Sequence, residues 1–86
     1  MSYQLKHLTG REVLVALKDL GFDVVATLGN QVKMERILAG GKSQILTLPI
    51  HRALDLGTVR AVFRQASRFV QEAELRRFFF NDERFP

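Results

Sequence analysis

The feature that most constrains this chain is a change of hydrophobic period, made twice. Across residues 11–20, Val13, Leu14, Leu17 and Leu20 fall at the spacing that places side chains on one helical stripe. From Phe22 the period drops to two, with Phe22, Val24, Ala26 and Leu28 alternating against Asp23, Val25 and Thr27. It stays at two through residues 31–38, where Val32 and Met34 oppose Gln31, Lys33 and Glu35, and through residues 44–50, where Leu46, Leu48 and Ile50 form the inward set. Val59, Val62, Phe63 and Ala66 then return to helical spacing. A chain with this order buries its apolar faces by laying helices on one side of a small sheet.

The punctuation agrees with the periods. Thr9-Gly10-Arg11-Glu12 has the spacing of a capping box, and Gly21 stands where a left-handed helix end is wanted. Gly29-Asn30 between two alternating runs signals a tight hairpin, and Ala39-Gly40-Gly41-Lys42 a second turn. Pro49 has no N–H for a ladder, so the third strand lies at an edge or ends there. After a loop over residues 51–57, Thr58 is the expected cap of the second helix. Residues 70–80 predict a short third helix with Leu75 and Phe79 as its contacts. The expectation is a single α+β domain over residues 1–86, in the order α-β-β-β-α plus a short C-terminal helix. Its sheet has three antiparallel strands, with the helices on one face.

With 86 residues there is room for one core only. The absence of Cys removes thiolate chemistry, disulfides and cysteine-based metal sites, and two histidines, His7 and His51, are too few for a multi-histidine metal centre. No metal and no small-molecule cofactor is expected. No apolar run is long enough to span a bilayer, and MSYQLKHLTG lacks the apolar stretch of a signal peptide, so a cytoplasmic protein without membrane association is expected. A hydrolase of the serine or paired-carboxylate type finds no support, because the carboxylates are scattered and no Ser–His–Asp grouping is readable. A helix-turn-helix is disfavoured, since a strand ending at Pro49 stands where its first helix belongs.

The net charge is +4, and the excess is concentrated. Arg52, Arg60, Arg64 and Arg68 stand against one acid, Asp55, in residues 51–71. Arg60, Arg64 and Arg68 are spaced i, i+4, i+8, on the side of the helix away from the apolar seam, and guanidinium forks at that spacing suit successive phosphates. His51, at the end of the third strand, is a candidate general base, since its pKa lies near working pH. The run Phe78-Phe79-Phe80 cannot be buried by one face of a single helix. Either the helix end is enclosed, or the run awaits a partner, a second copy of the chain included.

Two stretches carry a resemblance. Leu8-Thr9-Gly10-Arg11-Glu12-Val13, then Leu20-Gly21-Phe22 and Gly29-Asn30-Gln31-Val32-Lys33-Met34, resemble the HicA-type (YcfA-like) mRNA interferase toxins of type II toxin–antitoxin systems. So do Leu48-Pro49-Ile50-His51 and Leu56-Gly57-Thr58-Val59-Arg60-Ala61-Val62-Phe63-Arg64-Gln65-Ala66. The likeness covers residues 8 to about 67 and leaves 68–86 as an extension. It implies a fold like a double-stranded-RNA-binding domain, mRNA as ligand, a HicB-like antitoxin as partner, and a metal-independent endoribonuclease. In that family a histidine in a Gly-Ser-His context takes the ribose 2′-OH proton. Here Gly29-Asn30-Gln31 occupies the place, so the catalytic position holds Gln31. A glutamine can hold a phosphate or hydroxyl but exchanges no proton near pH 7.

Three readings stand beside this substitution: natural divergence to a binding function, a change made to disarm a toxin, and transfer of the base role to His51. Asn30 in place of Ser favours divergence, because a disarming change would touch one residue. The residues assigned to RNA are Lys33, Arg52, Arg60, Arg64 and Arg68. The alternative to a toxin nuclease is a non-catalytic RNA-binding or protein-interaction module.

Overall fold

The computed structural model describes residues 3–50 and 53–82. In chain order the elements are β1 (Tyr3–Leu5), α1 (Gly10–Asp19), β2 (Asp23–Leu28), β3 (Gln31–Ile37), β4 (Ser43–Pro49), α2 (Leu56–Ala66), α3 (Glu72–Phe79) and β5 (Phe80–Asp82). The central sheet is antiparallel in the order β2-β3-β4, as the periods require, and the fold is the expected α+β arrangement. Val32 and Met34 of β3 and Leu46 and Leu48 of β4 point to the covered side. There they meet Phe22, Val13 and Leu17 of α1, and Val59, Val62 and Ala66 of α2. Fourteen buried apolar residues form this core, and among the described residues no helix covers the opposite face of the sheet.

Local chemistry sets the element ends. The Thr9 hydroxyl accepts the Glu12 N–H at 3.0 Å, and the Glu12 carboxylate accepts the Thr9 N–H at 2.8 Å, so the capping box forms as spaced. Gly21 ends α1 at φ 99°, a conformation that disfavours a side chain, and a Cβ there would stand 3.2 Å from Cδ of Arg36. Gly29 at φ 59° turns β2 into β3, pairing Leu28 with Gln31 across a two-residue loop.

Arg36 deserves its glycine neighbour. From β3 its guanidinium donates to the carbonyls of Leu20 at 3.0 Å and Phe69 at 2.9 Å, while Nε donates to the Gln44 side chain at 2.8 Å. The group also lies 4.9 Å from the centre of the Phe22 ring. One half-buried cation thereby satisfies backbone oxygens just past the C-terminal ends of both α1 and α2, where the helix dipoles favour positive charge.

The structure corrects two sequence expectations, adds a second sheet and bears on the alternatives left open for the aromatic run. The cap of α2 is Asp55, whose carboxylate accepts the Thr58 N–H at 2.8 Å; Thr58 is the third helical residue, and the helix starts at Leu56. The even-numbered alternation of the first strand breaks at a bulge between Val24 and Ala26. Val24 therefore pairs with Met34 on the covered side, while Ala26 and Leu28 pair with Lys33 and Gln31 on the open side. β1 and β5 form a second, two-stranded sheet that joins the two ends of the chain, a pairing of three-residue strands too short to show a period. Finally, Phe79 is fully buried and Phe78 and Phe80 pack against the core, with Phe63 meeting the Phe79 and Phe80 rings edge-on at 5.7 and 5.1 Å. The aromatic run packs on its own domain, with Phe79 buried and Phe78 and Phe80 partly buried.

Arg36→Ala is expected to lower unfolding free energy by about 2–4 kcal/mol, because two part-buried carbonyls and an amide lose a charged donor. Arg36→Lys should recover less than half of that, since one ammonium cannot reproduce the fork. Urea denaturation midpoints decide; a loss under about 0.5 kcal/mol contradicts the role.

Candidate nucleic-acid interface

The open face of the sheet begins at the hairpin tip. Gln31 is the first residue of β3, exposed, with Leu28 of β2 on one side and Pro49 of β4 on the other. Lys33 lies two residues on, on the same face by strand alternation, between Ala26 and Thr47. These residues line a shallow groove of about 140 Å³, formed by Ala26, Leu28, Gln31, Val32, Lys33 and Thr47. The lining offers an amide, an ammonium and a hydroxyl on an apolar floor, and none of these lining side chains is a carboxylate or an imidazole. It can bind an anion or a hydroxyl; it holds no group that exchanges a proton near neutral pH.

The groove connects to α2 around the edge of the sheet. Gln65 of α2 donates to the Thr47 carbonyl at 3.1 Å and accepts the Thr47 N–H at 3.2 Å, taking the place of a neighbouring strand. Thr47 thus belongs both to the groove and to the seam with α2, and its partner Gln65 is next to Arg64 in sequence. Arg60 and Arg64 are exposed on α2, away from the buried stripe of Val59, Val62 and Ala66. Arg68 lies beyond the helix, in the turn that follows Ala66, so the expected three-residue helical stripe has two helical members and one on the turn. None of the three forms an ion pair with a described residue. His51 and Arg52 lie outside the described residues.

The structure therefore unites Gln31 with Lys33 and sets Arg60 and Arg64 on a separate, adjoining surface. Thr47 and Gln65 were missed in the sequence. Thr47 carried a readable signal, its outward place in an alternating strand. Gln65 carried none, because a helix side chain meeting a strand edge has no local pattern. Among the described residues no three His, Asp or Glu side chains gather as a metal site requires, and no described helix is long and apolar enough to cross a membrane.

The helix that carries Arg60 and Arg64 is capped by Asp55. The backbone N–H of Thr58, then the Thr58 hydroxyl and the Gly57 N–H, hold the Asp55 carboxyl below its ordinary range. A lowered folded-state pKa means the cap contributes fully above the unfolded value of about 3.9 and is lost as pH falls through the folded value. The difference in melting temperature between the native chain and Asp55→Asn should be constant from about pH 7 to 5 and change only below about pH 4. A difference that varies across neutral pH contradicts this assignment.

Two findings relate the chain to known proteins. The family model described as HicA toxin of bacterial toxin–antitoxin matches residues 10–67, about two thirds of the chain. That stretch runs from α1 through α2 and includes Gln31, Lys33, Arg60 and Arg64, while β1, α3 and β5 lie outside it. No curated protein and no solved structure matches the chain.

Proposed function

Since the chain belongs to the HicA toxin family, we propose that it acts in the cytoplasm as the RNA-binding toxin of its pair, taking mRNA along the Gln31–Lys33 groove and the arginines of α2, with a HicB-like antitoxin as its counterpart. The observation that carries this reading is the double hydrogen bond between Gln65 and Thr47, which makes the groove and the arginine face neighbours around one sheet edge. Arg60 and Arg64 hold phosphates through their forks, Arg68 extends the same basic surface, and Lys33 neutralises a phosphate at the groove; Arg52, outside the described residues, is assigned to RNA on its charge alone. The Gln31 amide donates to a phosphate oxygen or accepts from a 2′-OH.

Cleavage needs one thing more. Attack of the 2′-oxygen on the adjacent phosphate requires a base to remove its proton, which typically contributes about 10²–10⁴-fold. Gln31 supplies none, so the chain binds RNA and leaves it intact at the rate its family mechanism would set. His51 is the residue that would restore a base, and the same experiment tests it.

Purified protein with end-labelled RNA in EDTA, on paired native and denaturing gels, decides. The native chain is expected to shift RNA without cutting it, and Gln31→His to cut it about 10²–10⁴-fold faster. Arg60→Glu with Arg64→Glu should abolish the shift at moderate salt and flatten its salt dependence by about 0.7 in log–log slope per arginine. Cutting by the unaltered chain transfers the base role to His51; no shift by any form overturns the interface.

A further inference from the structure

The two edges of the central sheet are treated differently. At β4, Pro49 lacks an N–H and Gln65 occupies both backbone groups of Thr47, so strand pairing is blocked there. At β2 nothing comparable exists among the described residues. All six of its residues are exposed, Val24 through Leu28 carry no charge, and Val25 and Leu28 are 50% and 80% exposed. Antiparallel geometry turns every second N–H and C=O of such a strand outward. Behind it lies a cleft of about 410 Å³ walled by Leu14, Val24 and Ile50, with Arg11, Gly29 and Asn30 also in its lining.

We propose that this edge is a self-association surface, on which β2 pairs antiparallel with β2 of a second copy to make a continuous six-stranded sheet. RNA is a poor occupant, because no cation lies along the strand. A second copy fits for two reasons. An antiparallel edge is its own complement about a two-fold axis, which gives a closed, isologous dimer. The charges at its ends also match. Antiparallel pairing brings the start of one β2 to the hairpin-tip end of the other, so Asp23 of each copy faces Arg11 of its mate, and Arg11 forms no ion pair with a described residue of its own chain. The bulge before Ala26 distorts the first half of the strand, so the ladder centres on the regular stretch Ala26-Thr27-Leu28, with Thr27 at the axis. This inference is independent of RNA binding and leaves the open face of β3 free.

Sedimentation equilibrium of the whole protein tests it, from about 1 μM to about 1 mM chain. A reversible monomer–dimer equilibrium is expected. Thr27→Lys, which sets two like charges across the axis, should leave monomer throughout. Arg11→Asp should weaken dimerisation roughly tenfold, and adding Asp23→Arg should restore it to within about threefold. The charge swap decides independently should Thr27→Lys lose its fold by circular dichroism. Monomer at every concentration overturns the proposal and leaves the edge to another protein strand. A dimer indifferent to both variants overturns it by placing self-association elsewhere.

Discussion

The clasp made by Arg36 is the interaction on which the rest of the arrangement depends. A three-stranded sheet with two helices on one side has to fix both helices against the same strands, and the apolar core resists sliding only weakly because burial is not directional. Arg36 supplies direction. It stands on β3, the central strand, and reaches backbone oxygens beyond the ends of α1 and of α2, with the Phe22 ring under its guanidinium. Gly21 is the counterpart of this reach, since any larger residue would crowd the arginine stem as well as strain the turn. Holding both helices to the covered face leaves the other face of β3 bare, and that is where Gln31 and Lys33 stand.

Much of this was legible in the sequence, for identifiable reasons. The capping box at Thr9, the Gly21 stop, the Gly29-Asn30 hairpin and the edge position of β4 each rest on a short-range rule, and each appears in the structure. The elements that escaped depend on partners distant in the chain. β1 and β5 are three-residue strands paired across almost the whole sequence, and the bulge at β2 is set by its neighbour strand rather than by its own pattern. The aromatic run at residues 78–80 posed a question of enclosure that only tertiary packing could answer, and Phe63 answers it. For the site, the residue types were readable but their grouping was not. One strand pattern puts Gln31 beside Lys33, whereas the Gln65–Thr47 bond that brings α2 to the groove leaves no periodic trace.

The proposed function separates holding RNA from breaking it. Binding draws on charge and hydrogen-bond donors spread over two elements, so it survives the loss of any single group in weakened form. In that proposal cleavage depends on one proton acceptor, and the position that the family resemblance assigns to it holds the Gln31 amide. The same sheet separates its surfaces as well. The β4 edge is closed by Pro49 and Gln65, the open face of β3 carries the polar groove, and the β2 edge is left apolar and unpaired by any described strand. On the two proposals above, RNA and a second copy of the chain would take different sides of one small sheet.

The most direct test of the central claim, that the β3 groove and the α2 arginines form one RNA surface, is a titration of ¹⁵N-labelled protein with a short single-stranded RNA followed by amide chemical shifts. The account predicts that Gln31, Lys33, Thr47, Arg60, Arg64 and Gln65 move together with a single apparent Kd. Shifts confined to β2 or α3, or two groups that titrate with separate affinities, would contradict it.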